Sequence, residues 1–393
     1  MDLFRYSISM IYIYNSKEHV IDSSNIKNLI VDYDYDNRNM PILFITASID
    51  KNVVDDMIVN SRTKTIILTV SKYVKDSSIT IRQNYIHGEF IYFLSDDLNP
   101  TSELDYSTTT KDSKDIYRQI TIGLIDKKLI DNNKRLINDI FLNTSLLDII
   151  LKHTSHMKML IEPVRDVKIP RFIIPPLTTI SQFIKFTNFY YNLYNTPYRL
   201  FYDFDKTYLL SSSGNNIPAR GEDINSIIIN VNKDNNQNSK VQGMYTDKVN
   251  KAYIIELSAA DIKCLEDKAT DISYNKIIGI SSTGKYKTVD INLPNATNAP
   301  EKVKITRITN DNLDQLENIK TGILNSSMRL NFVKTELDTS VLTMNRKFII
   351  KNYDKLYNKD GTFILSSKKE IYSKDNDSFI LSTIISLKKA ITS

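Results

Sequence analysis

The chain has 393 residues, of which 25% are charged and 41% hydrophobic, ordinary values for a globular protein with room for two to four domains. Its 51 basic and 46 acidic residues leave a formal charge of +5 with Lys and Asp interspersed, so no basic block is long enough to track nucleic-acid phosphates. Nine glycines in 393, about 2% against a usual ~7%, weigh against glycine-rich nucleotide folds, and a lone cysteine, Cys264, rules out an internal disulfide or a Cys-based metal cage.

The opening MDLFRYSISM has an acid at position 2 and polar residues throughout, so no secretory signal is expected. No apolar run approaches the ~20 residues of a membrane helix. Leu3–Tyr14, Ile26–Tyr33 and Ile42–Ala47 read as strands, with the Asp- and Asn-rich segment Asp34–Pro41 as a turn. Asp50–Asn60 suits one or two helical turns with Val53, Val54, Met57 and Ile58 facing in. Thr65–Lys72 and Phe90–Leu94 add strands, which together predict a barrel or sandwich over residues 1–110. Asn99–Lys114, full of Ser, Thr and Asp, reads as a linker.

A second unit is expected over 115–215. Ile116–Leu124 alternates as a strand, and Asn143-Thr144-Ser145 starts a helix that is apolar on most sides. Met157–Ile161 is another strand. The stretch from Pro175 to Gly214 then predicts a helix followed by a hairpin. Thr179 and Gln182 stand as a capping box before an apolar-periodic run, and Pro197 stops the helix. Tyr198–Tyr202 and Thr207–Leu210 are the two hairpin strands.

The remainder, 220–393, is strand-dominated. Ile224–Val231, Ala252–Leu257, Tyr286–Leu293 and Lys302–Ile308 are the clearest strands, and Lys233–Lys240 is too polar to bury. A helix is expected from Asp311. Lys347–Lys351 and Phe363–Leu365 flank Asp360-Gly361, a turn signal. In the last strand, Ser378–Lys388, the odd positions Phe379, Leu381, Ile385 and Leu387 form one apolar face.

Three patterns imitate chemistry. Asp203-Phe204-Asp205-Lys206-Thr207 after an apolar strand fits the first motif of haloacid dehalogenase phosphatases, with Asp203 as nucleophile, Asp205 as general acid and Mg²⁺ as cofactor. The chemistry also needs a later apolar strand ending in paired acids, and the adjacent Asp96-Asp97 come too early. A hairpin turn explains the pattern as well. Gly279–Lys285 is a phosphate loop up to Tyr286, which stands where a Ser or Thr hydroxyl is required. Lys287–Leu293 alternates as a strand, where a phosphate loop must open a helix, so a hairpin loop is expected there. His153 and His156 have metal-compatible spacing without a third ligand, and read as a surface pair ending a helix. No catalytic, cofactor-binding or metal-binding residue is therefore assigned.

Four segments in order carry a family likeness: Asn39-Met40-Pro41-Ile42 with its following strand, Tyr194–Leu210, Leu337–Asn352 and Asp360–Leu387. In these the chain resembles the central hub protein of contractile (myovirus-type) phage baseplates, or of phage-tail-like particles, from low-GC Gram-positive bacteria. The resemblance implies an α+β, mostly β fold of the tail-hub or type VI spike-base kind. Two β-barrel-like domains, 1–110 and 220–393, would flank the small α/β domain 115–215, and the C-terminal strands have room to complete the first barrel. It implies a structural virion protein without enzymatic activity or cofactor. As a homotrimer it would adapt the six-fold tail tube to the three-fold spike. Its partners would be the spike, the tube or tube-initiator protein and baseplate wedge proteins, with assembly in the host cytoplasm. It implies neither membrane insertion nor sequence-specific nucleic-acid binding. The alternatives are the phosphatase on Asp203 and Asp205, and a glycan- or receptor-binding tail protein.

Overall fold

The computed structural model describes residues 4–61, 63–74, 83–94, 117–154, 158–164, 168–191, 193–194, 198–204, 206–211, 217, 226–232, 244–258, 262–266, 276–281, 284–290, 303–308, 316, 320, 328–335, 341–351 and 362–390. The expected linker, the polar loop at 233–240, the turn at Asp360-Gly361 and most of the helix from Asp311 lie outside them, as do Asp96-Asp97, Asp205 and His156.

The elements run β1 (Phe4–Tyr14), β2 (Lys17–Ile21), β3 (Ile26–Asp34), β4 (Ile42–Asp50), α1 (Lys51–Val59), β5 (Thr65–Val74) and β6 (Gln83–Leu94). Then come β7 (Tyr117–Asp126), α2 (Lys127–Lys134), β8 (Leu136–Ser145), α3 (Leu146–Thr154), β9 (Lys158–Ile161), β10 (Lys168–Thr179), α4 (Ile180–Tyr190), β11 (Tyr198–Asp203) and β12 (Lys206–Ser211). The last stretch holds β13 (Ser226–Asn232), β14 (Met244–Asp247), β15 (Ala252–Ser258), β16 (Ile262–Glu266), β17 (Lys276–Ser281), β18 (Tyr286–Asp290), β19 (Val303–Ile308), β20 (Met328–Thr335), β21 (Phe348–Lys351), β22 (Thr362–Asp375) and β23 (Ser378–Lys389).

Eight of these strands pair in a closed antiparallel circuit: β1–β5–β6–β7–β4–β3–β22–β23 and back to β1 through the bridge Tyr6↔Phe379. Alternation explains why it closes. Met10 and Tyr12 on β1, Leu29 and Val31 on β3, Leu43 and Ile45 on β4, and Ile66 and Leu68 on β5 are all fully buried, while their chain neighbours are not. One face of each strand thus points into a common core, and closure leaves no open edge in the circuit. An eight-strand circuit leaves an interior that side chains fill. Here Tyr6, Tyr12, Tyr92 and Tyr372 do so, with edge-to-face ring contacts Tyr6–Tyr372 at 5.0 Å and Tyr12–Tyr92 at 6.0 Å.

Helix α1 packs against this core. Asp50 caps it, its carboxylate accepting from the Asn52 N–H at 2.8 Å. Val53, Val54 and Met57 are buried. Tyr12 Oη donates to Asp56 Oδ2 at 2.5 Å, and Tyr92 Oη donates to the Met57 carbonyl at 3.0 Å. Ile58, expected to face in, is 45% exposed. At ~100° per residue it falls about 90° from the centre of the face formed by the other three.

The long hairpin β22–β23 also serves a second sheet. Ser367 to Ser373 pair with β3, whereas Thr362 and Phe363 pair with β21, and β21 continues to β13, β15 and β14. Ser382 to Lys388 pair with β20, which continues to β16. The register of β22 shifts between Leu365 and Ser367, a bulge where the strand passes from one set of partners to the other.

Between these sheets in sequence lies a helix-bearing region with its own core, formed by Ile149 and Ile150 of α3, Ile180 and Phe183 of α4, and Phe172 of β10. Strands β8 and β10 form a two-stranded ribbon over it. Among the described residues no helix is long and apolar enough to cross a membrane.

Candidate functional site

Hairpin β11–β12 is buried on both faces, which accounts for its mostly apolar sequence, with Arg199 and Thr207 as buried polar exceptions. Tyr198, Leu200, Tyr202 and Leu209 enter the helix-bearing core. Phe201, Tyr208 and Leu210 enter the core shared by the strand circuit and the second sheet. The period of two therefore joins two cores through one hairpin.

Polar bonds fix it in place. Helix α4 begins with the expected capping box: Thr179 Oγ1 accepts from the Gln182 N–H at 3.2 Å, and Gln182 Oε1 accepts from the Thr179 N–H at 2.9 Å. From that helix Asn188 Oδ1 accepts from the Tyr198 N–H at 2.9 Å, and Thr187 Oγ1 lies 2.5 Å from Tyr198 Oη. The Tyr202 N–H donates to the Asn39 carbonyl at 2.7 Å. Burial pushes the Tyr202 phenol up to about 12.

On the opposite face of β11 from Tyr198, Arg199 points at the bulge of β22. Its guanidinium donates to the Leu365 carbonyl, and its Nε lies 4.0 Å from Asp36 Oδ1. Asp36 also accepts from Ser366 Oγ at 2.5 Å and from Lys388 Nζ at 2.5 Å. The Tyr35 N–H donates to the Ser366 carbonyl at 3.1 Å. Burial pushes the Asp36 carboxyl up, but Lys388, Arg199 and Ser366 outweigh it and hold it below the usual carboxylate range. The carbonyl and the seryl group that the bulge releases from strand pairing thus find partners in the β3–β4 turn and in β11. Beside this junction a cleft of about 230 Å³ opens between that turn, α4, β11 and the end of β23.

A second buried pair lies inside the circuit. Lys368 Nζ and Glu370 Oε1 are 2.9 Å apart, with side chains 4% and 0% exposed. Tyr85 and Tyr372 hydroxyls donate to the two Glu370 oxygens, each at 3.1 Å, and Lys368 Nζ sits 4.2 Å from the centre of the Tyr33 ring.

Asp203 ends β11 and faces Lys206 across the antiparallel hairpin. Phe204 takes the turn at φ 21°, and Thr207 is fully buried with no hydrogen-bond partner for its hydroxyl among the described residues. The D-x-D-x-T pattern therefore marks a hairpin turn. Strands β17 and β18 likewise pair antiparallel around Gly284, whose φ is +80°, so the phosphate-loop pattern is a hairpin loop. His153 differs from its expected place on the surface. Its ring is buried between Phe141 and Phe183, with Nε2 3.6 Å from Asp139 Oδ2. The inward face of α3 carries it there, one turn after Ile149 and Ile150. Among the described residues no three His, Cys, Asp or Glu side chains gather as a metal site.

The sequence model of the bacteriophage PBS1 gene 109 protein family matches residues 4–390. No curated protein matches the sequence. Among solved structures, the 43 kDa tail protein of prophage MuSo2 from Shewanella oneidensis is 11% identical with a TM-score of 0.50, over 97% of this chain and 98% of that one. The tail protein from Neisseria meningitidis MC58 is 11% identical with a TM-score of 0.49, over 98% and 96%. The Francisella PdpA–VgrG complex aligns at 13% identity and a TM-score of 0.46, over 98% of this chain and 58% of that one. At such identities the likeness to the MuSo2 protein speaks for the fold alone: a mostly β chain of the phage-tail kind.

Proposed function

We propose that this chain, which belongs to the family of the bacteriophage PBS1 gene 109 protein, is the central hub of a contractile tail baseplate. In this reading three copies form a ring that joins a six-fold tube to a three-fold spike. The chain catalyses no reaction. It acts in the virion through its interfaces with itself, the spike, the tube and the wedges.

One observation carries the reading. A single long hairpin, β22–β23, closes the eight-strand circuit and also founds the second sheet. In this reading each copy presents two strand-built units joined through that hairpin, and three copies present six. That doubling is what an adapter between three-fold and six-fold symmetry requires. Such a ring is held by large permanent interfaces, of the order of thousands of Å².

Light scattering of the chain mixed with the spike protein of the same particle tests this. A mass with three copies of the 45.3 kDa chain per complex is expected. A single copy in a stable spike complex would overturn the hub.

A further inference from the structure

We infer that the cleft beside the β22 bulge receives an acidic side chain from a protein neighbour. Arg38, Lys185, Arg199 and Lys388 line it, against Asp36 as its one carboxylate. Two of these cations are already matched: Arg38 with Asp32 at 2.5 Å, and Lys388 with Asp36 at 2.5 Å. Arg199 is only partly matched, by the Leu365 carbonyl and by Asp36 at 4.0 Å, and Lys185 is the remaining cation.

Arg199 is 6% exposed, and its Nε has no hydrogen-bond partner among the described residues. Asp36, at 4.0 Å and already holding Lys388 and Ser366, does not complete it. A buried guanidinium with an unused donor is costly unless an acceptor arrives. Lys185, on the exposed face of α4, makes no ion pair among the described residues. Ser181, in the first turn of α4, also lines the cleft, so the positive end of that helix adds to the field. A planar guanidinium, an ammonium and a helix N-terminus suit a carboxylate, and the cleft has room for one side chain with its flanking backbone.

That the carboxylate belongs to a protein rests on the tail-hub reading, in which the neighbours of this surface are polypeptides. The cleft itself is tested separately. Full-length ¹⁵N-labelled chain is titrated with acetylated, amidated tetraglutamate, with tetraglutamine and inorganic phosphate in parallel. The arginine Nε–H signals are followed by NMR, that of Arg199 being assigned with Arg199→Lys. Tetraglutamate should shift the Arg199 signal saturably, and Lys185→Glu, a surface change that leaves folding intact, should weaken it about tenfold. No shift, an equal shift with tetraglutamine, or tighter binding of phosphate would each overturn the inference. If tetraglutamate fails while the three-copy spike complex still forms, the cleft is refuted and the hub stands.

Discussion

Replacing Lys368 with Met isolates the pair inside the strand circuit. The two charges lie 2.9 Å apart and are essentially sealed from water. At an effective dielectric of ~20 their attraction is about 6 kcal/mol. Taking both ions out of water costs a comparable amount, so the intact pair adds little net stability. Breaking it is another matter. Glu370 would stay buried without its cation, keeping the hydrogen bonds from the Tyr85 and Tyr372 hydroxyls. The expected loss is about 3–5 kcal/mol. Glu370→Gln should lose a similar amount, because it strands Lys368 against the Tyr33 ring. Lys368→Met with Glu370→Gln keeps an acceptor for a tyrosine and strands no charge, so the double variant should lose less than the two single losses combined by at least ~2 kcal/mol. Urea unfolding followed by circular dichroism measures all four proteins. Additive losses, within about 0.5 kcal/mol, would refute the claim that the two side chains form one electrostatic unit.

Thr179→Ala removes the cap acceptor of α4 and should cost about 1 kcal/mol in thermal unfolding, since the Gln182 N–H loses its side-chain acceptor while the bond from the residue 179 N–H to Gln182 Oε1 remains. Gly123 lies under the Phe93 ring, and an added Cβ would come within 2.2 Å of its carbons. Gly123→Ala should therefore cost ~1–3 kcal/mol, and Phe93→Ala in the same chain should relieve part of that loss. Lys388→Met removes the closest cation from Asp36 and should cost about 3 kcal/mol at pH 7. Asp36 has a depressed pKa in the fold, so its pairing stabilises fully above the unfolded aspartate value of about 3.9 and is lost as pH falls through the lower folded value. The gap between Lys388→Met and the parent protein should accordingly narrow below pH ~4 in acid-unfolding curves.

Strands with a clean period of two are legible in the sequence. Phe379, Leu381, Ile385 and Leu387 of β23 are all buried, and β11–β12 with its capped helix stands where its apolar run and turn signals put it. Charge and proline hide the rest. The strand signal of β22 stops at Leu365 because SSKKEIYSKD looks solvated, yet Lys368 and Glu370 face inward and neutralise each other there. Strand β10 carries Pro170, Pro175 and Pro176, which mask it as a strand. They are tolerated because β10 belongs to a two-stranded ribbon, with its register shifting between Ile174 and Thr178 and Leu177 at φ 63°. The junction at Asp36, Arg199 and Ser366 has no sequence signature at all, since its members are 163 and 167 residues apart along the chain and only the bulge brings them together. A helical stripe misleads at Ile58 because three inward residues already fill the face of so short a helix.

The order of the strands constrains how the molecule can form. The segments β1 to β7, in the first third of the chain, make five of the eight contacts of the circuit among themselves: β1–β5, β5–β6, β6–β7, β7–β4 and β4–β3. Its remaining contacts, β3–β22, β22–β23 and β23–β1, need residues 362–389. Until those arrive, β3 and the N-terminal half of β1, whose Met10–Tyr14 pair with β2, present open edges with inward-facing tyrosines, a surface prone to wrong pairing. Closing a loop on the order of 300 residues costs entropy that grows only slowly with length, so the delay is mainly one of search time. The same late hairpin supplies β20 and β21 with their partners. Closing the circuit and completing the second sheet are therefore one event, and the polar junction at the β22 bulge is the point at which both are locked to the hairpin β11–β12 between them.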